Sequence, residues 1–238
     1  MGQTSHMEAY GLTHLVPLAL LAAGIVVVVR LGRRQRAYGR PSRFSRGFAL
    51  AIPLTTIPLQ AHEWVTDFDL FIDLPLQLCD LAWVAAAVAL WTHRPYPTAL
   101  ACFWGLTLTT QGVFTPDVKD FPDVSYLTYW GLHLMVVLAA VYLVFGLGLL
   151  PHWRDYGWTV ATTAAWAVAA YALNLVLDAN YGYLRYKPPT ASMLDLLGPW
   201  PFYIVSEIVI VAGVWALITL GLRTWARHEG STSTPVRS

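Results

Sequence analysis

Seven apolar stretches dominate the chain, at about 12–31, 48–64, 75–92, 97–113, 126–149, 156–177 and 200–222. Each approaches the roughly 20 helical residues that cover a hydrocarbon core of ~30 Å at 1.5 Å per residue. Charged residues make up 12% of the 238 positions, too few for a soluble domain of this length. The expected fold class is therefore all-α: a polytopic membrane protein with seven transmembrane helices. Its single domain should run over 1–227, with a polar, disordered tail over 228–238. Pro75, Pro97 and Pro201 fall at predicted helix starts, where a missing N–H costs nothing. Pro53 and Pro58 fall inside the second stretch and should kink it.

The loops predict an orientation. The first holds Arg30, Arg33, Arg34, Arg36, Arg40, Arg43 and Arg46, and the second holds Asp67, Asp69 and Asp73. The third has His93 and Arg94, and the fourth has Asp117, Lys119, Asp120 and Asp123. Arg154 follows in the fifth, and Arg223, Arg227 and Arg237 at the C-terminal end. Basic residues thus fall on alternate loops, which puts the N-terminus outside and the C-terminus in the cytoplasm. No cleavable signal peptide is expected, because positive charge follows the first apolar stretch rather than preceding it. Lys occurs only at 119 and 187, the rest of the basic residues being Arg, which points to a GC-rich bacterial source and a bacterial cytoplasmic membrane. The two cysteines, Cys79 and Cys102, both lie in apolar stretches and form no disulfide framework. The Arg-rich first loop is accounted for by topology and anionic headgroups, so no nucleic-acid partner is expected.

Depth along each stretch groups the polar residues. His14 lies just inside the first, and His62 and Glu63 close the second. Gln77, Cys79 and Asp80 open the third, with Cys79 roughly 6 Å below the expected helix start near Pro75. Gln111 closes the fourth, His133 lies about two turns into the fifth, Asn174 and Asp178 close the sixth, and Glu207 lies about two turns into the seventh. All belong to the outer half, and intramembrane ionisable groups mark a site by default. A thiol and an imidazole at one depth can form a nucleophile–base pair, here Cys79 and His133. Blander readings hold elsewhere. Cys102, among Ala, Phe and Leu, is a small core residue, and a lone intramembrane His such as His14 is often a bridge between helices. Trp64, Trp83, Trp130, Trp158 and Trp200 suit interfacial belts. The sixth loop, 178–199, rich in Tyr, Pro and Trp, is expected to dip into the interface or cover a site.

An ordered set of segments resembles the YwaF-type integral membrane proteins, a bacterial group related to a eukaryotic transmembrane ether-phospholipid acyltransferase. The segments are Gly11-Leu-Thr-His14-Leu, Leu74-Pro-Leu-Gln-Leu-Cys79, Thr115-Pro-Asp117 with Phe121-Pro122, His133, Asn174, Asp178-Ala-Asn180-Tyr181, Lys187-Pro-Pro189, and the run from Leu194 to Pro201. The His that the family usually carries before Leu-Cys is Gln77 here. The resemblance implies a lipid acyltransferase with Cys79 as nucleophile and His133 as base. The acyl chain would pass through a thioester to a lyso-phospholipid hydroxyl or to water, with no cofactor and no metal. Because the site faces outward, away from cytoplasmic acyl-CoA, the expected donor is a phospholipid of the bilayer and the transfer is independent of CoA. Gln77, Gln111 or Asn174 would hydrogen-bond the oxyanion, and Asp80, Glu63 or Glu207 would orient the His. Two other readings compete: a seven-span zinc hydrolase or amidase using His14, His62 and His133 with Glu63 or Asp80, and a transporter of a lipid or small solute with Glu207 as a proton-coupling group.

Overall fold

The computed structural model describes residues 7–66, 68–71, 74–188 and 193–232. Asp67, Asp73, Pro189 and the end of the tail lie outside the described residues. Helix α1 spans Leu12–Gln35, α2 Arg43–Thr66 and α3 Leu78–Thr92. Helix α4, Pro95–Phe103, passes through a π turn at Trp104–Leu108 into α5, Thr109–Phe114. Helix α6, Val124–Val141, ends in a second π turn at Tyr142–Gly146. Helices α7, Trp153–Leu177, and α8, Phe202–Thr232, complete the bundle. Among the described residues there is no strand.

Counting α4, its π turn and α5 as one rod, seven rods lie on the seven apolar stretches. Among the described residues, four helical segments are long and apolar enough to cross a membrane: Leu12–Tyr38, Val124–Gly146, Trp153–Leu177 and Phe202–Arg227. The other three differ for visible reasons. Helix α2 becomes polar at its end, α3 has 15 residues, and the fourth rod is broken by its π turn. Boundaries also differ from the sequence reading. Helix α3 starts at Leu78 rather than Pro75, because Gln77 is extended and takes the N-cap position. Cys79 is therefore its second residue. Helix α2 runs unbroken through Pro53 and Pro58. Helix α8 continues as far as Thr232, so the tail expected from 228 begins as helix.

Helix α6 forms the centre, packed on α1, α2, α3, α4 and α5. Its mean composition allows this: Val136, Val137, Ala139 and Ala140 are buried, and small residues on α3 (Ala82, Ala86, Ala89) let the axes approach. Helix α7 packs on α4, while α8 packs on α7 and on the turn Met193–Leu197. A cavity opens between this outlying pair and the α3–α5–α6 core.

Candidate functional site

The cavity holds about 700 Å³, within the ~300–1,000 Å³ usual for ligand sites. It is reached from the end of the bundle where α2 and α5 finish and α3, α6 and α8 begin. That end carries Asp69, Asp117, Asp120, Asp123 and Asp178, whereas Arg33, Arg34, Arg36, Arg40, Arg43, Arg94, Arg223 and Arg227 gather toward the other.

The start of α3 is the most heavily braced part of its wall. The Asp80 carboxylate accepts the Gln77 backbone N–H at 3.1 Å, one half of a capping box. The Gln77 side-chain oxygen accepts the Gly182 N–H at 3.0 Å. Trp166 of α7 donates its indole N–H to the Leu76 carbonyl at 3.0 Å. The Tyr181 hydroxyl donates to the Leu70 carbonyl at 2.6 Å and accepts the Leu74 N–H at 3.2 Å. The Cys79 sulfur is half-buried on the cavity, in the first turn of α3, where the Asp80 N–H is taken by the Gln77 carbonyl at 3.0 Å.

The loop after α7 folds back as a wall because Asn174 dictates its path. Asn174 is fully buried, and its side chain takes both backbone groups of Tyr181, accepting N–H at 2.7 Å and donating to C=O at 2.9 Å. Gly182 follows at φ +68 and presses against Trp166: a Cβ there would lie 2.5 Å from the indole. Tyr183 and Leu184 then line the cavity. Burial, then the Asp117 carboxylate and the Cys79 thiol, push the Tyr183 phenol above its ordinary value. Asn174→Ala removes both of these buried hydrogen bonds and should cost about 2–3 kcal/mol, read as a lowered thermal unfolding midpoint. An unchanged midpoint would show that the loop is held by other contacts.

Across the cavity, His133 donates Nδ1–H to the Tyr129 carbonyl at 2.8 Å. A carbonyl only accepts, so the proton of the neutral ring sits on Nδ1 and Nε2 keeps its lone pair. The Tyr129 ring stacks on the imidazole with centroids 4.0 Å apart and planes at 23°, and its hydroxyl donates to the Gly112 carbonyl at 2.7 Å. Both rings close on Gly112, where a Cβ would come within 2.7 Å of His133 Nε2 and 2.8 Å of the Tyr129 hydroxyl. Glycine at 112 is what lets the imidazole sit there. Cys79 and His133 line one cavity and make no direct hydrogen bond to each other. The arrangement puts a thiol and an imidazole nitrogen able to accept a proton on the walls of one cavity.

The sequence signature of the TMEM164 family, a family of transmembrane proteins, matches residues 6–219. The chain belongs to the TMEM164 family. No curated protein and no solved structure matches it.

In this TMEM164-family chain the cavity brings together Cys79, His133, Gln77, Asp80, Glu63, Gln111 and Glu207. Four other residues expected at the site lie elsewhere. His14 is fully buried but spends both ring nitrogens on packing, Nδ1 accepting the Tyr10 N–H and Nε2 bonding the Val113 carbonyl, each at 2.9 Å. His62 is exposed on the outside of α2. Asn174 shapes the loop as described. Asp178 caps α7 at φ 55 and pairs with Arg185 at 2.8 Å, with its side chain 86% exposed. Among the described residues no three His, Cys, Asp or Glu side chains gather as a metal-binding group. Residues that the sequence reading passed over also line the cavity, notably Tyr129, Asp117, Trp166 and Tyr183. Tyr129 was within reach: it lies one helical turn before His133, on the same face. Tyr183 belongs to the loop over 178–199, whose composition points to an interfacial segment or a cover over a site, and that loop does line the cavity; Trp166, on α7, carries no such signal.

Proposed function

We propose that this protein is a membrane-embedded, CoA-independent lipid transacylase that works through Cys79 and His133. The observation that carries the reading is a single cavity lined both by the thiol of Cys79, in the first turn of α3, and by a histidine whose Nδ1–H bond leaves Nε2 unprotonated. The Cys79 proton passes to Nε2, and sulfur attacks an ester carbonyl of a phospholipid. The C–O bond breaks, the lyso-lipid leaves with the proton from His133, and the acyl group stays on sulfur as a thioester. An acceptor lyso-phospholipid hydroxyl then gives its proton to Nε2 and attacks the thioester, restoring the thiol. The amide of Cys79, with the side chain of Gln111, is suited to the oxyanion. Bonds between catalytic groups are often long without substrate and tighten in its complex, in keeping with the unbonded Cys79 and His133.

Charge supports the choice of lipid. The described lining residues include the carboxylates of Glu63, Asp80, Asp117 and Glu207 and no Lys or Arg. Such a lining offers no cationic side chain to the phosphates of a polyanion such as acyl-CoA, which favours a phospholipid donor. The same reading takes all seven rods as crossings, with the cavity in the outer leaflet, the N-terminus outside and the Arg-rich end in the cytoplasm of a bacterial cell, by the positive-inside rule. It also extends to this chain the kinship with YwaF-type proteins and the ether-phospholipid acyltransferase. The zinc reading has less support, because His14 is fully engaged and His62 is off the cavity.

The test is transfer of label in proteoliposomes containing acyl-labelled phosphatidylcholine and an unlabelled lyso-phospholipid. The expected result is label in the acceptor without added CoA. Label that stays on the donor overturns the reading, and label released as free fatty acid reassigns the acceptor to water.

A further inference from the structure

We infer that Trp215 is the floor of an acyl-chain slot and sets the longest chain the cavity accepts. This rests on the reading that a lipid acyl chain occupies the cavity. Glu63, Gln77, Asp80, Thr115, Asp117 and Ser125 line its mouth, while Leu108, Leu132, Val160, Val211 and Trp215, with His133 among them, line it further in. Along α8 the lining runs from Ile204, near the start of the helix, to Trp215 and stops there. From Ile204 to Trp215 this gives about 16 Å of helix, room for an extended chain.

The floor is rigid. Trp215 is 1% exposed, its indole N–H donates to the Thr107 hydroxyl at 2.9 Å, and its ring packs on Phe103 at 5.5 Å. Thr107 is in position because the π turn at Trp104–Leu108 rotates it toward α8, and its hydroxyl in turn donates to the Phe103 carbonyl. Beneath the indole the interior is filled by Phe103, Ala99 and Ile218. A chain that reaches Trp215 can go no further without displacing packed side chains, and an apolar pocket distinguishes one methylene by roughly 10–200-fold.

The test uses binding, so that it does not depend on chemistry. Full-length Cys79→Ala protein is delipidated and offered lyso-phosphatidylcholines from octanoyl to eicosanoyl, and relative occupancy is read by native mass spectrometry. The expected profile has a sharp upper cut-off, falling about 10-fold or more per added carbon. Adding Trp215→Ala or Trp215→Phe moves the cut-off to longer chains. Adding Ala212→Phe, one turn nearer the mouth on the cavity wall, moves it to shorter ones and keeps the test alive if the Trp215 variants misfold. Thr107→Val, which keeps the indole, leaves the cut-off nearly in place. No cut-off, or the same cut-off in every variant, overturns the ruler. A cut-off that shifts as expected in a protein whose native form transfers no label sinks the transacylase reading and leaves the ruler standing.

Discussion

If the protein is the proposed transacylase, Cys79→Ala should lower acyl transfer by roughly 10⁴–10⁶-fold, the scale lost when a covalent nucleophile is removed from a site that otherwise stays intact. The expected loss is chemical and not structural. Cys79 is only half-buried, at the second position of α3, and the braces on that helix start come from Gln77, Asp80, Trp166 and Tyr181 instead. The variant should therefore fold and bind lipid as the native protein does. Cys102 supplies the internal control. It is fully buried between α4, the π turn at the end of α6 and Leu222, away from the cavity, so Cys102→Ala keeps transfer within a few-fold. Intact-mass spectrometry after a short incubation with phospholipid should find one acyl adduct on the native chain. That adduct persists in Cys102→Ala and disappears in Cys79→Ala. Cys79→Ser is expected to be nearly as inactive, since its hydroxyl is a far weaker nucleophile than a thiolate. Transfer that survives Cys79→Ala, or an adduct mapping to Cys102, removes the sulfur from the mechanism.

The sequence carried the rods well and the walls between them poorly, for a physical reason. A run of apolar residues reports what a helix must be buried in, and depth along a helix follows from a fixed rise per residue. That is why Cys79, His133, Gln111 and Glu207 could be set at one end before any coordinates. Rotation about the helix axis and the path of loops are set by tertiary contacts. His14 and Asn174 lie at suitable depth yet turn away from the cavity, because each completes a backbone bond that only the fold creates: His14 with Val113 on α5, Asn174 with Tyr181 after the chain reverses. The two π turns left no trace in hydropathy, though one of them aims Thr107 at Trp215. Pro75 reads as a helix opener, yet α3 starts three residues later, where the extended Gln77 donates its N–H to the Asp80 carboxylate and fixes the boundary.

His133→Ala should lower transfer by roughly 10²–10⁴-fold, the range for losing a positioned general base, while lyso-lipid binding changes by less than about 3-fold. The separation matters, because a purely architectural imidazole would affect both. His133 sits between a carbonyl that holds its Nδ1 proton and a glycine that leaves Nε2 room. Disturbing either support should reproduce part of the loss without touching the ring. Gly112→Ala places a methyl carbon within 2.7 Å of Nε2 and 2.8 Å of the Tyr129 hydroxyl. The imidazole must then move off its position, and transfer should fall with it, by about 10-fold or more for a displacement near 1 Å. Tyr129→Phe removes the hydroxyl bond to Gly112 but keeps the stacked ring and the Tyr129 carbonyl that fixes the tautomer. Its loss should be the smallest of the three. This graded order, His133→Ala below Gly112→Ala below Tyr129→Phe in remaining activity, is specific to a base fixed by its neighbours. Equal losses in all three, or a His133→Ala protein retaining a tenth of native transfer, would mean that the proton leaves Cys79 by another route.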